Sequence, residues 1–221
     1  MGSRGRLRRG RALSRVLPRS FYARPVLDVA RDLLGCSLVS DVGGSRVVVR
    51  ITEVEAYAGA DDPASHAHRR RTDRNAVMFG PPGHAYVYFT YGMHWCLNLV
   101  ASRDGDPAAV LVRAGEVVLG IDTARTRRAG SRDRDLARGP ARLASALGVD
   151  GGCNGLDVTR RGPVLHVLTA EPVDDALVAT GPRVGIRAAA EVPWRLWLAG
   201  DPTVSDFRPG ALRSRRPADP L

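Results

Sequence analysis

Residues 84–101 have the sequence HAYVYFTYGMHWCLNLVA. β-Branched and aromatic residues are concentrated here, which predicts two strands, at 84–90 and 94–101, on either side of a turn that contains Gly92. Working outward from this stretch, the same enrichment predicts a strand at 108–114. These three segments indicate that the chain is built on a β-sheet.

The flanking segments complete the prediction of the fold. Apolar periodicity and glycine or proline boundaries predict helices at 26–34, 116–128 and 140–148. Alternating or β-branched runs predict further strands at 36–41, 45–55, 164–169, 183–187 and 194–199, with Gly43 and Gly44 forming a hairpin turn between the first two. The order of β-rich, α-rich and again β-rich segments predicts an α+β fold, a single domain with a curved, mostly antiparallel sheet and surrounding helices.

The distribution of charge predicts two basic tails. The net charge is +10, but residues 1–20 contain seven Arg and no acid, and residues 208–221 contain four Arg and one Asp. The intervening residues 21–207 carry 22 Arg and 22 acids and are formally neutral. We therefore expect a disordered basic tail at 1–18, a folded domain at 19–207 and a flexible basic tail at 208–221.

The absence of one residue type excludes several functions. All 33 cationic side chains are Arg, and the sequence contains no Lys. Mechanisms that need a lysine amine, such as Schiff-base formation or phosphate capture by a P-loop, are therefore excluded apart from the terminal amine.

The cysteines and the hydropathy indicate the compartment. Three widely spaced cysteines, Cys36, Cys96 and Cys153, argue against a disulfide framework or a cysteine-based metal site and favour a reduced cytoplasm. No apolar run approaches the roughly 18 residues of a membrane span. We expect a cytoplasmic protein with no membrane partner.

The rings of this chain gather around one acidic strand. Of only twelve Phe, Trp and Tyr residues, seven lie between positions 57 and 95. In the strand that ends EVEAY at 53–57, a period of two places Glu53, Glu55 and Tyr57 on one face. These could be exposed residues of an edge strand. A carboxylate among rings is instead partly desolvated and a better base, and a single such acid predicts activation of a water.

These residues, together with others along the chain, resemble a known family, the alkyladenine (3-methyladenine) DNA glycosylases. The resemblance covers about residues 19–207 and is carried, in order and spacing, by EVEAY at 53–57, His66, Arg74-Asn75, Met78-Phe79, Pro82-Gly83, YVY at 86–88, YGM at 91–93, CLN at 96–98, VLVRA at 110–114, Gly139-Pro140 and RVG at 183–185. It implies hydrolysis of the N-glycosidic bond of alkylated or deaminated purines in duplex DNA, without metal or cofactor. It also implies a monomer, associated with the nucleoid if the source is bacterial.

The resemblance further implies roles for individual residues. Glu55 is the general base, and Arg113 with the backbone carbonyl of Val184 holds the attacking water. The flipped base would be sandwiched by Tyr57 and His66, closed in by Tyr88 and crowded by Asn98 at the position of the guanine amine. The gap in the duplex would be filled by Tyr91, braced by Met93. Four other residues of the aromatic stretch are expected to pack in the core: Tyr86, Phe89, Trp95 and Cys96.

Two other functions remain open from the sequence. One is a non-catalytic module that captures damaged DNA with the same aromatic wedge, although such a module has no use for a desolvated carboxylate facing phosphates. The other is a bifunctional glycosylase that also cuts the DNA backbone, which the absence of Lys disfavours.

Overall fold

Eight strands form one antiparallel sheet in the part of the chain that the computed structural model describes, residues 15–90, 92–162 and 164–210. The strands are β1 (Ser37–Ser40), β2 (Val47–Tyr57), β3 (Ala85–Thr90), β4 (His94–Ala101), β5 (Ala108–Leu119), β6 (Leu165–Leu168), β7 (Val178–Gly181) and β8 (Arg195–Leu198). The main path runs β3-β4-β5-β2-β1-β6, and the β7–β8 ribbon joins through β2. The α+β prediction is confirmed.

Strand β2 is the centre of the sheet and carries the EVEAY motif. One of its edges pairs with β5 along nearly its whole length, with bulges near Glu53. The other edge pairs first with β1, through residues 47–50, and then with β8, through residues 53–55. Because bulges increase the local twist of a strand, this arrangement curls the sheet around the second half of β2.

Four helices cover the sheet: α1 (Arg19–Tyr22), α2 (Val26–Leu33), α3 (Ile121–Arg127) and α4 (Pro140–Leu147). Helix α2 buries Val29, Ala30 and Leu33 in the main core, as its apolar periodicity predicts. Helix α4 begins at Pro140 and ends at Gly148, whose positive φ of 72° suits a left-handed cap. The helices predicted at 26–34 and 140–148 are therefore confirmed.

The helix predicted at 116–128 is wrong in its first half. Strand β5 continues to Leu119, pairing Glu116 with Arg50 of β2, and the helix begins only at Ile121. The Arg50 guanidinium also forms an ion pair with Glu116 at 2.8 Å. Cross-strand pairing therefore prevails over helix propensity in this segment, until Gly120, with φ of 75°, ends the strand.

The strand predicted at 183–187 is also wrong. The ladder partner of β8 is β7, at Val178–Gly181, and residues 184–185 form a turn in which Gly185 has φ of 74°. Arg183 is 1% exposed and donates to Asp62 with both terminal nitrogens. The segment therefore serves to place a buried ion pair and a turn, and β7 takes the position beside β8.

The folded region begins before residue 19. Val16 forms a bridge to Leu168, and Leu17 is 3% exposed in the main core. Among the described residues, a core residue therefore precedes the boundary predicted at residue 18. The rest of the basic tails, residues 1–14 and 211–221, lies outside the described residues.

No helix among the described residues is long and apolar enough to cross a lipid bilayer.

Candidate active site

A cavity of about 360 Å³ opens on the concave face of the sheet, between β2, β3, β4 and β5. Alternation along the hairpin turns one set of side chains toward it: Tyr86, Tyr88, Thr90, His94, Cys96 and Asn98. Residues of β2, β5 and the 184–186 turn complete the wall, among them Glu55, Tyr57, Arg113 and Val184. The volume falls in the range of small-molecule sites, about 300–1,000 Å³.

Glu55 is fully buried at this wall and accepts hydrogen bonds from two sides. Its Oε2 accepts from the Tyr57 hydroxyl at 2.8 Å, and its Oε1 accepts from the Val184 backbone N–H at 2.6 Å. The Val184 contact that the structure shows is thus made by its nitrogen. The role predicted for its carbonyl oxygen, toward a water, stays a prediction.

Arg113 connects Glu55 to a second carboxylate, Glu53. Its Nη1 lies 3.3 Å from Glu55 Oε1, while its Nε donates to Glu53 Oε1 at 2.8 Å. Burial by itself lowers the pKa of Arg113, but the charges of Glu55 and Glu53 outweigh it and raise the pKa. A permanently charged guanidinium is therefore fixed between the two acids.

Glu53 is the centre of a buried network that the motif alone did not reveal. It also accepts from Arg195 Nε at 2.7 Å, from the Ser205 hydroxyl at 2.9 Å and from the Ser205 N–H at 2.6 Å. The alternation of β2 indicated that Glu53 and Glu55 share a face. Arg195 and Ser205 lie more than 140 residues away, and no local sequence signal connects them to β2.

Three rings of the cavity are in contact with one another. His66 meets Tyr88 edge to face at 4.6 Å between centroids, and Tyr86 lies 5.4 Å from Tyr88. His66 Nδ1 and the Tyr86 hydroxyl are 3.0 Å apart. Burial, and secondarily the charge of Arg74, lowers the pKa of His66, so its ring is neutral at neutral pH.

The tyrosines are held in their neutral form. Burial raises the pKa of Tyr86 to about 12, and burial also raises the pKa values of Tyr57 and Tyr88. The cavity therefore presents uncharged, electron-rich rings beside one carboxylate.

Asn98 is fixed at the base of the cavity. Its Nδ2 donates to the carbonyl oxygen of Tyr86, its cross-strand partner, at 3.0 Å. Only the amide nitrogen can donate to that carbonyl, so Oδ1 and the second N–H of Nδ2 are left for other partners. The side chain is 4% exposed and cannot swing away without losing this bond.

The other residues of the aromatic stretch fall into two groups. Trp95 is half-buried against the core, as predicted, and Tyr86 and Cys96 are buried as predicted but also line the cavity. The prediction for Phe89 is wrong, because it is 43% exposed on the opposite face of β3, against Trp95 at 4.7 Å. An outward position near the end of the hairpin leaves Trp95 to cover only part of its ring.

The turn between β3 and β4 joins Thr90 and His94, which both line the cavity. Met93 is 67% exposed there, whereas Tyr91, predicted to fill the gap in the duplex, lies outside the described residues. Within residues 15–90, 92–162 and 164–210, no group of three or more His, Cys, Asp or Glu side chains is arranged to hold a metal ion.

Comparison with known proteins assigns the chain. The model of the methylpurine-DNA glycosylase family matches residues 20–202, most of the sequence. The chain belongs to the methylpurine-DNA glycosylase family. DNA glycosylases are hydrolases of N-glycosyl bonds, and the substrate of this family is DNA.

Individual relatives of this methylpurine-DNA glycosylase family member agree with the assignment. A Streptomyces avermitilis protein is 54% identical over 203 residues, covering 90% of this chain and 95% of its own. Proteins from Frankia casuarinae and Carboxydothermus hydrogenoformans are 52% and 49% identical, over 86% of this chain and 92% and 98% of theirs. All three are provisionally named 3-methyladenine DNA glycosylase.

Proposed function

We propose that this protein excises alkylated or deaminated purines from duplex DNA, with Glu55 deprotonating the water that attacks the N-glycosidic bond. The observation that carries the proposal is a fully buried carboxylate at the wall of a ring-lined cavity of about 360 Å³. The chain has few aromatic residues, and their placement beside one carboxylate suits a site that binds a flat purine and activates a water.

The contacts of Glu55 leave room for that water. A carboxylate offers about four acceptor sites; Tyr57 and Val184 each donate to one oxygen of Glu55, and Arg113 Nη1 forms an ion pair with Oε1 at 3.3 Å. The donors also fix the orientation of the carboxylate. Glu55 accepts the proton of the water, Arg113 stabilises the pair of acids around it, and the Val184 turn closes the site from the other side.

The rings supply selectivity for damaged bases. Purines alkylated at N3 or N7 are cationic, and the faces of Tyr57 and Tyr88 attract a cation more strongly than a neutral base. A neutral His66 adds stacking without repelling that cation. Since a cationic purine is also a better leaving group, the protein needs to supply only a general base and a positioned water.

The target must leave the duplex to reach the cavity. A purine in the helix stack is inaccessible, and extruding it costs a few kcal/mol, least for damaged pairs. The turn that carries Tyr91 and the exposed Met93 is the element proposed to occupy the vacated space, because Thr90 and His94, on either side of it, line the cavity.

A non-catalytic DNA-binding module is the competing function. Glu55 argues against it, since a buried carboxylate at the wall of the cavity repels the phosphates of DNA and weakens binding. The two functions differ in one observable, which is release of free base from lesion duplexes before any alkaline treatment.

The test is Glu55→Gln, assayed for single-turnover base release from duplexes carrying 3-methyladenine, 7-methylguanine, hypoxanthine or ethenoadenine. Loss of a general base costs about 10²–10⁴-fold in rate, while binding of lesion DNA should persist. Glu116→Gln, which removes an acid paired with Arg50 at the surface of the same sheet, is the matched control and should retain activity. If Glu55→Gln keeps more than about a tenth of the rate, Glu55 is not the base.

A further inference from the structure

A buried arginine, Arg183, lies against the ring of Tyr57, and its hydrogen bonds go to residues other than Glu55. The Arg183 guanidinium carbon lies 4.7 Å from the Tyr57 ring centroid and 5.2 Å from that of Trp194. Arg183 is 1% exposed, whereas Tyr57 lines the cavity. The guanidinium therefore covers the ring face that a bound base does not use.

The charge of Arg183 is balanced by one acid. Both terminal nitrogens donate to Asp62, and Nη1 also donates to the Ala56 carbonyl at 3.0 Å. Burial by itself raises the pKa of Asp62, but the hydrogen bonds from Arg183 and from the Ala64 N–H lower it. Arg183 Nε is buried without a hydrogen-bond partner among the described residues. The result is an ion pair whose positive end lies against Tyr57.

A cation on one face of a ring draws its electron density toward that face. The opposite face then attracts a second cation less strongly than a free tyrosine would, while stacking of a neutral base is little affected. The pair of Arg183 and Asp62 thus affects how the pocket distinguishes ligands by charge, and not how it distinguishes them by shape.

Resting on the proposed function, we propose that Arg183 and Asp62 set the preference of the pocket between cationic and neutral damaged purines. Arg183 reduces the attraction of Tyr57 for a cationic base, and Asp62 limits that reduction by neutralising the guanidinium. The residues are specificity-determining, and neither touches the reacting atoms.

The test uses two ligands that share a shape and differ in charge. Duplexes carry either 3-methyladenine, whose base is cationic, or 3-deaza-3-methyladenine, its neutral counterpart. Dissociation constants are measured in the Glu55→Gln background, where neither base is released. The ratio of the neutral to the cationic dissociation constant defines the charge preference.

The variants are expected to move this ratio in opposite directions. Arg183→Met should raise it about threefold to tenfold, because the rear cation is gone. Asp62→Asn should lower it, because the guanidinium is no longer neutralised. Arg183→Lys keeps the charge and should leave it near the parent value.

Loss of structure cannot imitate this result, because misfolding weakens binding of both duplexes. The double change Arg183→Met with Asp62→Asn leaves no unpaired charge and should raise the ratio as Arg183→Met does. Ratios that stay within about twofold in both single variants, or that shift in the same direction, overturn the proposal. Release of 3-methyladenine by the wild-type chain is scored separately, so that failure of the proposed function is recognised independently of the ratio.

Discussion

At the scale of single residues, the sequence motifs predicted which side chains line the cavity but not which buried residues hold them in place. The sequence assigned Glu55, Tyr57, His66, Tyr88 and Asn98 to one site, and the structure brings all five to one cavity. Their functional roles remain proposals. The family resemblance supplied this assignment, and period-two alternation explains only the shared faces along β2 and the β3–β4 hairpin, because His66 lies in a loop outside both.

What the sequence could not supply were the buried partners of these residues. Arg183, Arg195 and Ser205 reach β2 from 127 to 152 residues further along the chain. A charged residue in a loop carries no local mark that distinguishes a solvated ion pair from a buried one. Only the packing of the β7–β8 ribbon and the final segment against β2 decides it.

Asn98 offers a test of selectivity at this scale. Asn98→Ser removes the amide held by the Tyr86 carbonyl and enlarges the cavity at that point. Discrimination by exclusion should weaken, so excision of undamaged guanine relative to a lesion should rise about tenfold or more. The measurement is release of guanine and of hypoxanthine from matched duplexes. An unchanged ratio of the two would remove Asn98 from the selectivity of the pocket.

At the scale of elements, turn glycines decided where the helices begin and end. Gly148 was a readable end of α4, because glycine suits the left-handed cap. Gly120 was not readable as the end of β5, since the apolar residues before it fit a helix as well as a strand. The pairing of Glu116 with Arg50 decided between the two, and that contact is formed 66 residues apart.

Gly120 should be difficult to replace. A Cβ there would lie 2.1 Å from the Arg46 carbonyl oxygen, and its φ is 75°. Gly120→Ala should therefore destabilise the fold by about 2 kcal/mol or more, of which about 1–2 kcal/mol is the left-handed backbone. Gly44→Ala is the matched control, because Gly44 has the same φ and nothing within 4 Å of a new Cβ. Urea unfolding midpoints at constant slope give the comparison; equal losses would exclude the steric contribution.

The β3–β4 turn carries a prediction about extrusion. Tyr91→Ser should remove the proposed wedge and leave the cavity intact, so excision from duplex DNA should fall severalfold more than excision from a single strand. Phe89→Ser is the control from the opposite face of the hairpin. Single-turnover rates on both substrates decide the matter, and equal losses would assign Tyr91 to the pocket or the core instead.

At the scale of the whole molecule, the excess positive charge lies in the terminal segments and the cavity lies between them in the sequence. The stretch 21–207 is formally neutral, while residues 1–14 and 211–221 contain five and three Arg and only one acid. The cavity lies entirely within the neutral part. The net positive charge of the protein therefore predicts how it approaches DNA and says little about the reaction in the cavity.

Removal of both tails should separate binding from catalysis. Because Leu17 is in the core, the deletions are 1–14 and 211–221. Nonspecific DNA binding should weaken, and the slope of log affinity against log salt should flatten by roughly 0.9 for each DNA phosphate that the tails neutralise. Single-turnover excision at saturating protein should barely change. An unchanged slope would assign nonspecific binding to the Arg clusters of the domain, and a collapsed rate would place a tail in the active site.

The hydrogen bonds of Ser205 to Glu53 have a consequence for synthesis of the protein. The ribosome makes the acids of β2 early, yet the segment that supplies two of the donors to Glu53 emerges about 150 residues later. A nascent chain halted shortly before this point would contain every ring of the pocket and an incomplete charge network beneath it. We therefore expect excision activity to appear late in translation, after the residues that perform it have already been made.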